Sequence, residues 1–327
     1  MDRLKKIIVV QSLLLIVFTC ASVYIGFSKF NKSSENGLLS PRVYSGLIDP
    51  KSFLIVNYEP LRSSFEDYIS KNNLTISIYI ENMRTGASLG IDARESYPPA
   101  SLNKIITAIL ILKQVEDGKL SLDENIPIKD ALRSSAFGTL YKTQEKEIPL
   151  RVFMEKMLKE SDDTAFKVLK EYEDPQERAL LISYLDYYNS NGALPGQDTE
   201  TGLVSPKSMY NVFSSLYLST LLLPDSSEYI LSLLTDTSFD VKKFAKLPEN
   251  VIVSQKFGSK YTKDEKYFHS CGIIYDGERR VFYCIMTKDI DLDFATQIVG
   301  AMVNKIYYYM VETQNTLDTY KNLTDWE

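Results

Sequence analysis

Apolar and polar positions alternate with the period of a β-strand near the start of the globular part of the chain and again near its end. Leu74 to Ile80 alternates with period two, and a turn at Arg84 to Gly86 leads to a second short strand, Ala87 to Ile91. A strong turn signal at Asp276 to Glu278 predicts a later hairpin. The three late strand segments are 251–256, 267–275 and 280–287.

Between and after these strands, apolar residues recur at the spacing of amphipathic helices. The predicted helices are 60–71, 101–114, 148–158, 164–172, 175–188, 206–222, 225–234 and 294–309. The run Ile105 to Leu112 is apolar nearly all round, which is typical of a buried helix. The order of strands, helices, strands and a final helix predicts an α+β fold. Its antiparallel sheet is built from both chain ends, and an all-helical region is inserted between them.

The N-terminal segment has a different composition from the rest. Residues 1–6 carry three basic side chains and one acidic one, and residues 7–27 carry no charged side chain over about the length that crosses a bilayer. The basic flank predicts that the N-terminus stays in the cytoplasm and that the rest of the chain is exported, to the cell surface or the periplasm. A cleaved signal peptide is the alternative. No small-x-small cleavage site follows the apolar run, so the pattern favours a retained signal-anchor that spans the membrane.

Composition also sets the remaining domain boundaries. Residues 28–44 are polar and predict a linker, residues 45–313 predict one globular catalytic domain, and residues 314–327 form a polar tail. The net charge is -6 and no basic patch stands out, which argues against binding to nucleic acid.

Metal-binding residue patterns are scarce. The 327-residue chain has one histidine, His269, and its three cysteines offer no Cys-x-x-Cys pair, so we predict no metal site and no cofactor. His269 lies in a strand segment and is predicted to be structural. Cys271 and Cys284 lie on the two arms of the predicted late hairpin, where a disulfide and two separate buried thiols are both possible. We expect the protein to be a monomer.

The apolar helix begins with a serine and a lysine at helical spacing. Pro98 and Pro99 prevent the helix from starting earlier, so Ser101 lies in its first turn. Lys104 follows three residues later, on the same side, where its amine can reach the Ser101 hydroxyl. A partly desolvated lysine can activate a serine as a nucleophile. The alternative is an N-capping serine and a solvated lysine, because the S-x-x-K pattern alone is short.

Two further motifs follow in order: Ser161 to Asp163 and Lys256 to Gly258. The ordered set S-x-x-K, S-D-N and K-T-G marks serine β-lactamases and penicillin-binding proteins. Leu194 to Gly196, followed by Asp198 to Thr201, is similar to the P-G and D-T-T-T segment of that family. Over about residues 45–313 the chain therefore resembles the class A β-lactamases and the related penicillin-binding D,D-peptidases. The resemblance implies a β-lactamase/transpeptidase-like fold and a covalent acyl-serine mechanism without a metal or organic cofactor.

The resemblance also implies a role for each motif residue. Ser101 is the nucleophile, Lys104 accepts its proton, and Ser161 passes a proton to the leaving nitrogen. Ser161 is also predicted to cap the helix that begins at Thr164. Lys256, placed at the end of a strand, supplies positive charge for a substrate carboxylate.

Three positions are implied to bind substrate. Asp163 stands where the family has an amide that contacts the acylamino carbonyl of the substrate, and Gly258 lets a substrate lie close to the strand edge. The backbone N–H groups of Ser101 and Ser259 form the oxyanion hole.

The chain departs from the family pattern in three ways. Asp163 replaces an amide that donates to the substrate, and an ionised carboxylate only accepts, from a lysine or from a substrate N–H. Phe257 replaces a hydroxyl residue. The family's deacylating glutamate lies in the loop before Pro195 and Gly196, but residues 189–202 contain no Glu-x-x-Leu-Asn.

These residues predict a membrane-anchored serine acyl hydrolase that opens β-lactam rings. Two alternatives stay open. One is a D,D-carboxypeptidase or transpeptidase acting on the D-alanyl peptides of peptidoglycan, which the missing glutamate favours. The other is a slow-turnover β-lactam sensor or cell-wall binding protein, which Asp163 and Phe257 favour.

Overall fold

The computed structural model describes residues 57–188, 202–277 and 279–312, all within one compact unit, Val56–Glu327. The predicted signal-anchor at 7–27, the linker at 28–44, the segment 189–201 and the tail at 314–327 lie outside the described residues. Among the helices that are described, none is both long and apolar enough to cross a bilayer.

A five-stranded antiparallel sheet forms the centre of the domain, with strand order β2-β1-β7-β6-β5. Its strands are β1 (Thr75–Asn82), β2 (Ser88–Ile91), β5 (Ile252–Tyr261), β6 (Lys266–Asp276) and β7 (Arg279–Lys288). Early β1 pairs with late β7 along its whole length, so both chain ends contribute to one sheet. The predicted α+β architecture is therefore confirmed.

Nine α-helices surround the sheet in the described part of the chain. They are α1 (Glu59–Lys71), α2 (Asn103–Glu116), α3 (Leu150–Lys159), α4 (Asp163–Lys170), α5 (Pro175–Tyr184), α6 (Pro206–Tyr217), α7 (Pro224–Leu233), α8 (Val241–Phe244) and α9 (Leu292–Glu312). Every side chain of α2 from Lys104 to Leu112 is buried, as its uniformly apolar sequence predicts.

The sheet separates two hydrophobic cores. One core contains α2 and the inserted helices together with sheet residues such as Phe282. The other contains α1 and α9, with Leu61 and Val299, packed on the opposite face of the sheet. In β1 the alternation decides the face, because Ile78 joins the core of the terminal helices and Tyr79 joins the core of the inserted helices.

Three predicted boundaries are wrong. The predicted helix at 206–222 ends at Tyr217, and Ser219 then has a positive φ of 51°. Residues 148 and 149 do not begin a helix, because Glu147–Pro149 forms β4 and pairs with β3 (Asn125–Pro127), and α3 begins only at Leu150. The predicted helix at 175–188 ends at Tyr184, before Asp186 adopts a positive φ of 47°. The spacing of apolar residues did not predict the pairing of β3 with β4 or the turn at Asp186.

The strand that carries Lys256 is also longer than predicted. β5 continues to Tyr261 and pairs with β6 through its whole length, so Lys256 lies within the strand and not at its end. Lysine and glycine are weak strand formers, and here the pairing with β6 outweighs their local preference.

A disulfide joins Cys271 on β6 to Cys284 on β7. The two residues are direct cross-strand partners, and both are fully buried. Of the two alternatives that the sequence left open, the structure has the disulfide. Lys256 is the partner of Cys271 on the other side, so the disulfide lies directly beside the strand position of this lysine.

Candidate active site

The segment before Ser101 is fixed by contacts on both sides. Tyr97 and Val204 exchange two backbone hydrogen bonds, each of 2.8 Å. The Nε2 of His269 lies 3.0 Å from the carbonyl oxygen of Pro98. Because that oxygen only accepts, Nε2 carries the proton. These contacts position the chain just before Ser101.

Ser101 lies in a single 3₁₀ turn, Ala100–Leu102, that leads directly into α2. Ala100 has a φ of 46°, a left-handed conformation that costs a residue with a side chain about 1–3 kcal/mol. Such strain persists only where surrounding contacts impose it, and it is common at active sites. The serine is half-buried at the start of a buried helix.

Gly258 on β5 lies against this turn. A Cβ at Gly258 would come within 3.0 Å of the Pro99 carbonyl oxygen and 3.2 Å of the Ser101 nitrogen. A glycine is therefore needed for this close approach. The two predicted oxyanion donors, the N–H groups of Ser101 and Ser259, belong to these two adjacent segments.

The Lys104 amine is the centre of the polar cluster. Its Nζ donates to Ser101 Oγ at 3.1 Å, to Ser161 Oγ at 3.1 Å and to the Ser161 carbonyl oxygen at 2.6 Å. It also forms an ion pair of 2.7 Å with Asp163 Oδ1. The structure therefore confirms that the lysine reaches the serine one helical turn earlier and that Asp163 accepts from a lysine.

Burial lowers the pKa of Lys104 from its ordinary value, and the negative charge of Asp163 opposes this effect. The side chain is only 2% exposed. A lysine with a lowered pKa is more readily available in its neutral form, which a proton acceptor requires.

Ser161 is held by the residue that follows it. The predicted cap at Ser161 is wrong: Asp162 is the N-cap of α4, because its Oδ1 accepts from the Ala165 N–H at 2.9 Å. Its Oδ2 accepts from the Leu140 N–H at 2.8 Å. Ser161 itself has a positive φ of 56°, and its hydroxyl accepts from Lys104.

Lys256 is buried and its amine has no hydrogen-bond partner within the described residues. Burial lowers the pKa of Lys256 well below its ordinary value, the charge of Lys104 lowers it further, and Asp163 raises it. An unpartnered buried amine is costly unless a ligand supplies an acceptor. The amine lacks a polar partner that a substrate carboxylate would supply, but the lowered pKa disfavours the positive charge that the sequence predicted for Lys256.

The packing of the Phe257 ring accounts for the replacement of a hydroxyl residue at this position. Its ring belongs to the core of the terminal helices and packs against Phe239 and Phe268, with ring centroids 5.9 and 6.4 Å apart. The same ring lies 4.6 Å from the Lys256 amine. This position is therefore used for packing, and it offers the lysine a ring face instead of a hydroxyl.

Two contacts near the site were not predicted. Tyr187, which is fully buried, donates from its hydroxyl to Asn103 Oδ1 at 2.9 Å, inside the S-x-x-K motif. Glu173 pairs with Arg178 at 2.8 Å, and both side chains are buried. No sequence signal identified these partners, because they are far apart along the chain or resemble ordinary surface charges.

The structure thus brings Ser101, Lys104, Ser161 and Asp163 into direct contact, with Gly258 against the Ser101 turn and Lys256 within electrostatic range. No group of three or more His, Cys, Asp or Glu side chains in the described ranges is arranged to hold a metal ion. A cavity of about 1050 Å³ opens between α7 and β5, but none of the predicted site residues line it. We therefore locate the site by its chemistry and not by cavity size.

His269 gives the fold a specific sensitivity to acid. Burial lowers the pKa of this histidine to about 4, against about 6.5 in the unfolded chain. Between these values the unfolded chain binds a proton that the folded chain does not. The free energy of unfolding that depends on neutral His269 is therefore fully present above about pH 6.5. It decreases by about 3 kcal/mol in total as the pH falls towards 4.

We expect His269→Gln to reduce this acid sensitivity. The free energy of unfolding of the wild type should fall by about 2 kcal/mol more than that of the variant between pH 7 and pH 5. Urea unfolding at both pH values measures the difference. Equal losses in the two proteins would contradict the assignment of a neutral buried histidine.

Comparison with known proteins supports the motif assignment. The family model described as the beta-lactamase enzyme family matches residues 60–310. No curated protein sequence matches the chain.

Solved structures share the fold at low sequence identity. The TLA-1 extended-spectrum beta-lactamase has a TM-score of 0.69 at 18% identity, over 78% of this chain and 100% of that chain. PBP-A has a TM-score of 0.65 at 20% identity, over 76% and 96%. A beta-lactamase from Sphaerobacter thermophilus has a TM-score of 0.66 at 15% identity, over 79% and 98%. A variant of PBP-A has also been solved as an acyl-enzyme complex with penicillin G.

Proposed function

Because the chain belongs to the beta-lactamase enzyme family of serine hydrolases, we propose that it opens β-lactam rings through an acyl-serine intermediate, in the manner of class A enzymes. The observation that carries this proposal is the buried Lys104 amine, which contacts both the Ser101 and the Ser161 hydroxyls. A serine in this environment has a base at hydrogen-bond distance, which nucleophilic attack on a carbonyl requires. The protein acts as a monomer, without a cofactor.

Acylation follows from these contacts. Ser101 Oγ forms a bond to the β-lactam carbonyl carbon, and its proton passes to neutral Lys104. The C–N bond of the ring breaks, and the nitrogen takes a proton from the Ser161 hydroxyl. Lys104 then returns a proton to Ser161, which lies 3.1 Å from its amine. The N–H groups of Ser101 and Ser259 stabilise the oxyanion, and Lys256 binds the substrate carboxylate.

We further propose that residues 7–27 anchor the protein in the membrane and that the catalytic domain lies outside the cytoplasm. The Cys271–Cys284 disulfide supports this location, since disulfides persist mainly in oxidising compartments. Protease added to intact cells or spheroplasts should digest the domain. Full protection in spheroplasts would contradict this location.

A D,D-peptidase acting on D-alanyl peptides is the second candidate. It uses the same acylation chemistry, and the absence of a Glu-x-x-Leu-Asn segment in residues 189–202 favours it. A β-lactam sensor differs from both in that its acyl-enzyme does not turn over.

Parallel assays separate these functions. The purified chain is given either a chromogenic β-lactam or a peptide that ends in D-alanyl-D-alanine, with Ser101→Ala as the inactive control. We expect multiple turnovers of the β-lactam and little release of D-alanine. D-alanine release with no β-lactam turnover would identify a peptidase, and one stable adduct without turnover of either would identify a sensor.

A further inference from the structure

We propose that Asp163 is the general base that activates water for hydrolysis of the acyl-enzyme. This inference rests on the proposed function, because it needs an acyl group on Ser101. Asp163 begins α4, and its side chain is 25% exposed whereas that of Lys104 is 2% exposed. The carboxylate therefore lies where the buried polar cluster meets solvent.

The distances place Asp163 close to the nucleophile. Lys104 Nζ lies 3.1 Å from Ser101 Oγ and 2.7 Å from Asp163 Oδ1. Together these two contacts limit the separation of Ser101 Oγ and Asp163 Oδ1 to 5.8 Å. Two hydrogen bonds through a single water span about 5.6 Å, so the carboxylate lies within reach of a water that attacks the ester on Ser101.

The other carboxylates near the cluster already bind partners within the protein. Asp162 is fully buried, and its two oxygens accept from the Ala165 and Leu140 N–H groups. Glu173 is bound by Arg178 and also accepts from the hydroxyl of Thr107. Of the acidic side chains described around Ser101, Asp163 is the one that both contacts the lysine and remains partly open to solvent.

A carboxylate at position 163 can act as a base, whereas an amide cannot. Both groups accept from Lys104, but only the carboxylate takes a proton from water. The adjacent lysine can then carry that proton to the serine, since Lys104 contacts Asp163 and Ser101 directly. The three side chains form a continuous path for one proton.

The proposed hydrolysis of the acyl-enzyme accounts for every bond and proton. The water oxygen forms a bond to the acyl carbon and gives one proton to Asp163. The bond between that carbon and Ser101 Oγ breaks, and the serine oxygen takes a proton from Lys104, which is replaced from Asp163. The products are free Ser101 and a ring-opened acid, and no oxidant, reductant or metal is consumed.

Asp163→Asn tests the proposal because asparagine keeps the shape and an acceptor for Lys104. Mixing the purified full-length chain with penicillin G and following its intact mass separates acylation from deacylation. We expect the acylation rate to stay within about tenfold of the wild type, and deacylation to slow by about 100-fold or more. Asp67→Asn, on the exposed surface of α1, is the matched control and should deacylate at the wild-type rate.

A second variant tests the chemistry of the carboxylate. Asp163→Glu keeps a proton acceptor, and we expect it to deacylate faster than Asp163→Asn. A thermal unfolding curve shows whether each variant is folded.

The possible results distinguish this inference from the function on which it rests. No adduct in the wild type would overturn the proposed function and, with it, the role of Asp163. Equal deacylation by the wild type and Asp163→Asn would overturn the base assignment alone. Slowed acylation with unchanged deacylation would also overturn it and would make Asp163 a positioning residue for Lys104.

Discussion

Ser101→Ala is expected to abolish covalent labelling by a fluorescent penicillin, with a loss of at least about 1,000-fold in labelling rate. The physical reason is that the proposed intermediate is an ester of the Ser101 oxygen, and alanine has no atom that can form it. Lys104 and Ser161 contact each other independently of Ser101, and we expect these contacts to persist in the variant.

The loss of labelling should not come from unfolding. The Ser101 hydroxyl is half-buried and its described contact is with Lys104, so the free energy of unfolding should change by about 1 kcal/mol or less. Ser63→Ala, on the exposed face of α1, is the matched control and should label normally. Labelling that persists in folded Ser101→Ala would show that another residue is the nucleophile.

The second large effect is expected at Lys104. Lys104→Met should slow acylation by about 100-fold to 10,000-fold, because the Ser101 hydroxyl loses the base that takes its proton. Burial lowers the pKa of Lys104, so the wild-type acylation rate should fall as the pH falls and the amine becomes protonated. Stopped-flow measurement of acylation across the pH range tests both statements.

Methionine also leaves Asp163 without its ion-pair partner, so a second variant separates charge from proton transfer. Lys104→Arg keeps the positive charge beside Asp163, but a guanidinium does not act as a base at neutral pH. We expect it to be as slow as Lys104→Met. Lys113→Met, on an exposed part of the same helix, is the matched control. Near-normal acylation by either Lys104 variant would contradict the assigned base.

Sequence periodicity predicted the parts of the fold that depend on long, regular patterns. The alternation in β1 and the uniformly apolar α2 both proved reliable, because burial on a sheet face or inside a helical region demands those patterns. The short ladder of β3 and β4 was missed, since strands of three residues carry too little periodicity. The full length of β5 was missed because pairing with β6 decides it.

The candidate site was predictable to a different extent for each residue. Helical spacing alone placed Lys104 beside Ser101, because the two residues are one turn apart. The contact from Lys104 to Asp163 joins two helices, so only the resemblance to a family indicated it before the structure did. The burial of Lys256 and the packing of Phe257 depend on the tertiary environment, which the sequence pattern does not contain.

The most direct test of the Ser101 and Lys104 pair as an acylation centre is peptide mapping of the intact chain after brief mixing with penicillin G. We predict a mass increase of one penicillin molecule per chain, located on the peptide that contains Ser101, and its disappearance as the acyl-enzyme hydrolyses. No mass increase, or an adduct on any other residue, would contradict the assignment of Ser101 as the nucleophile.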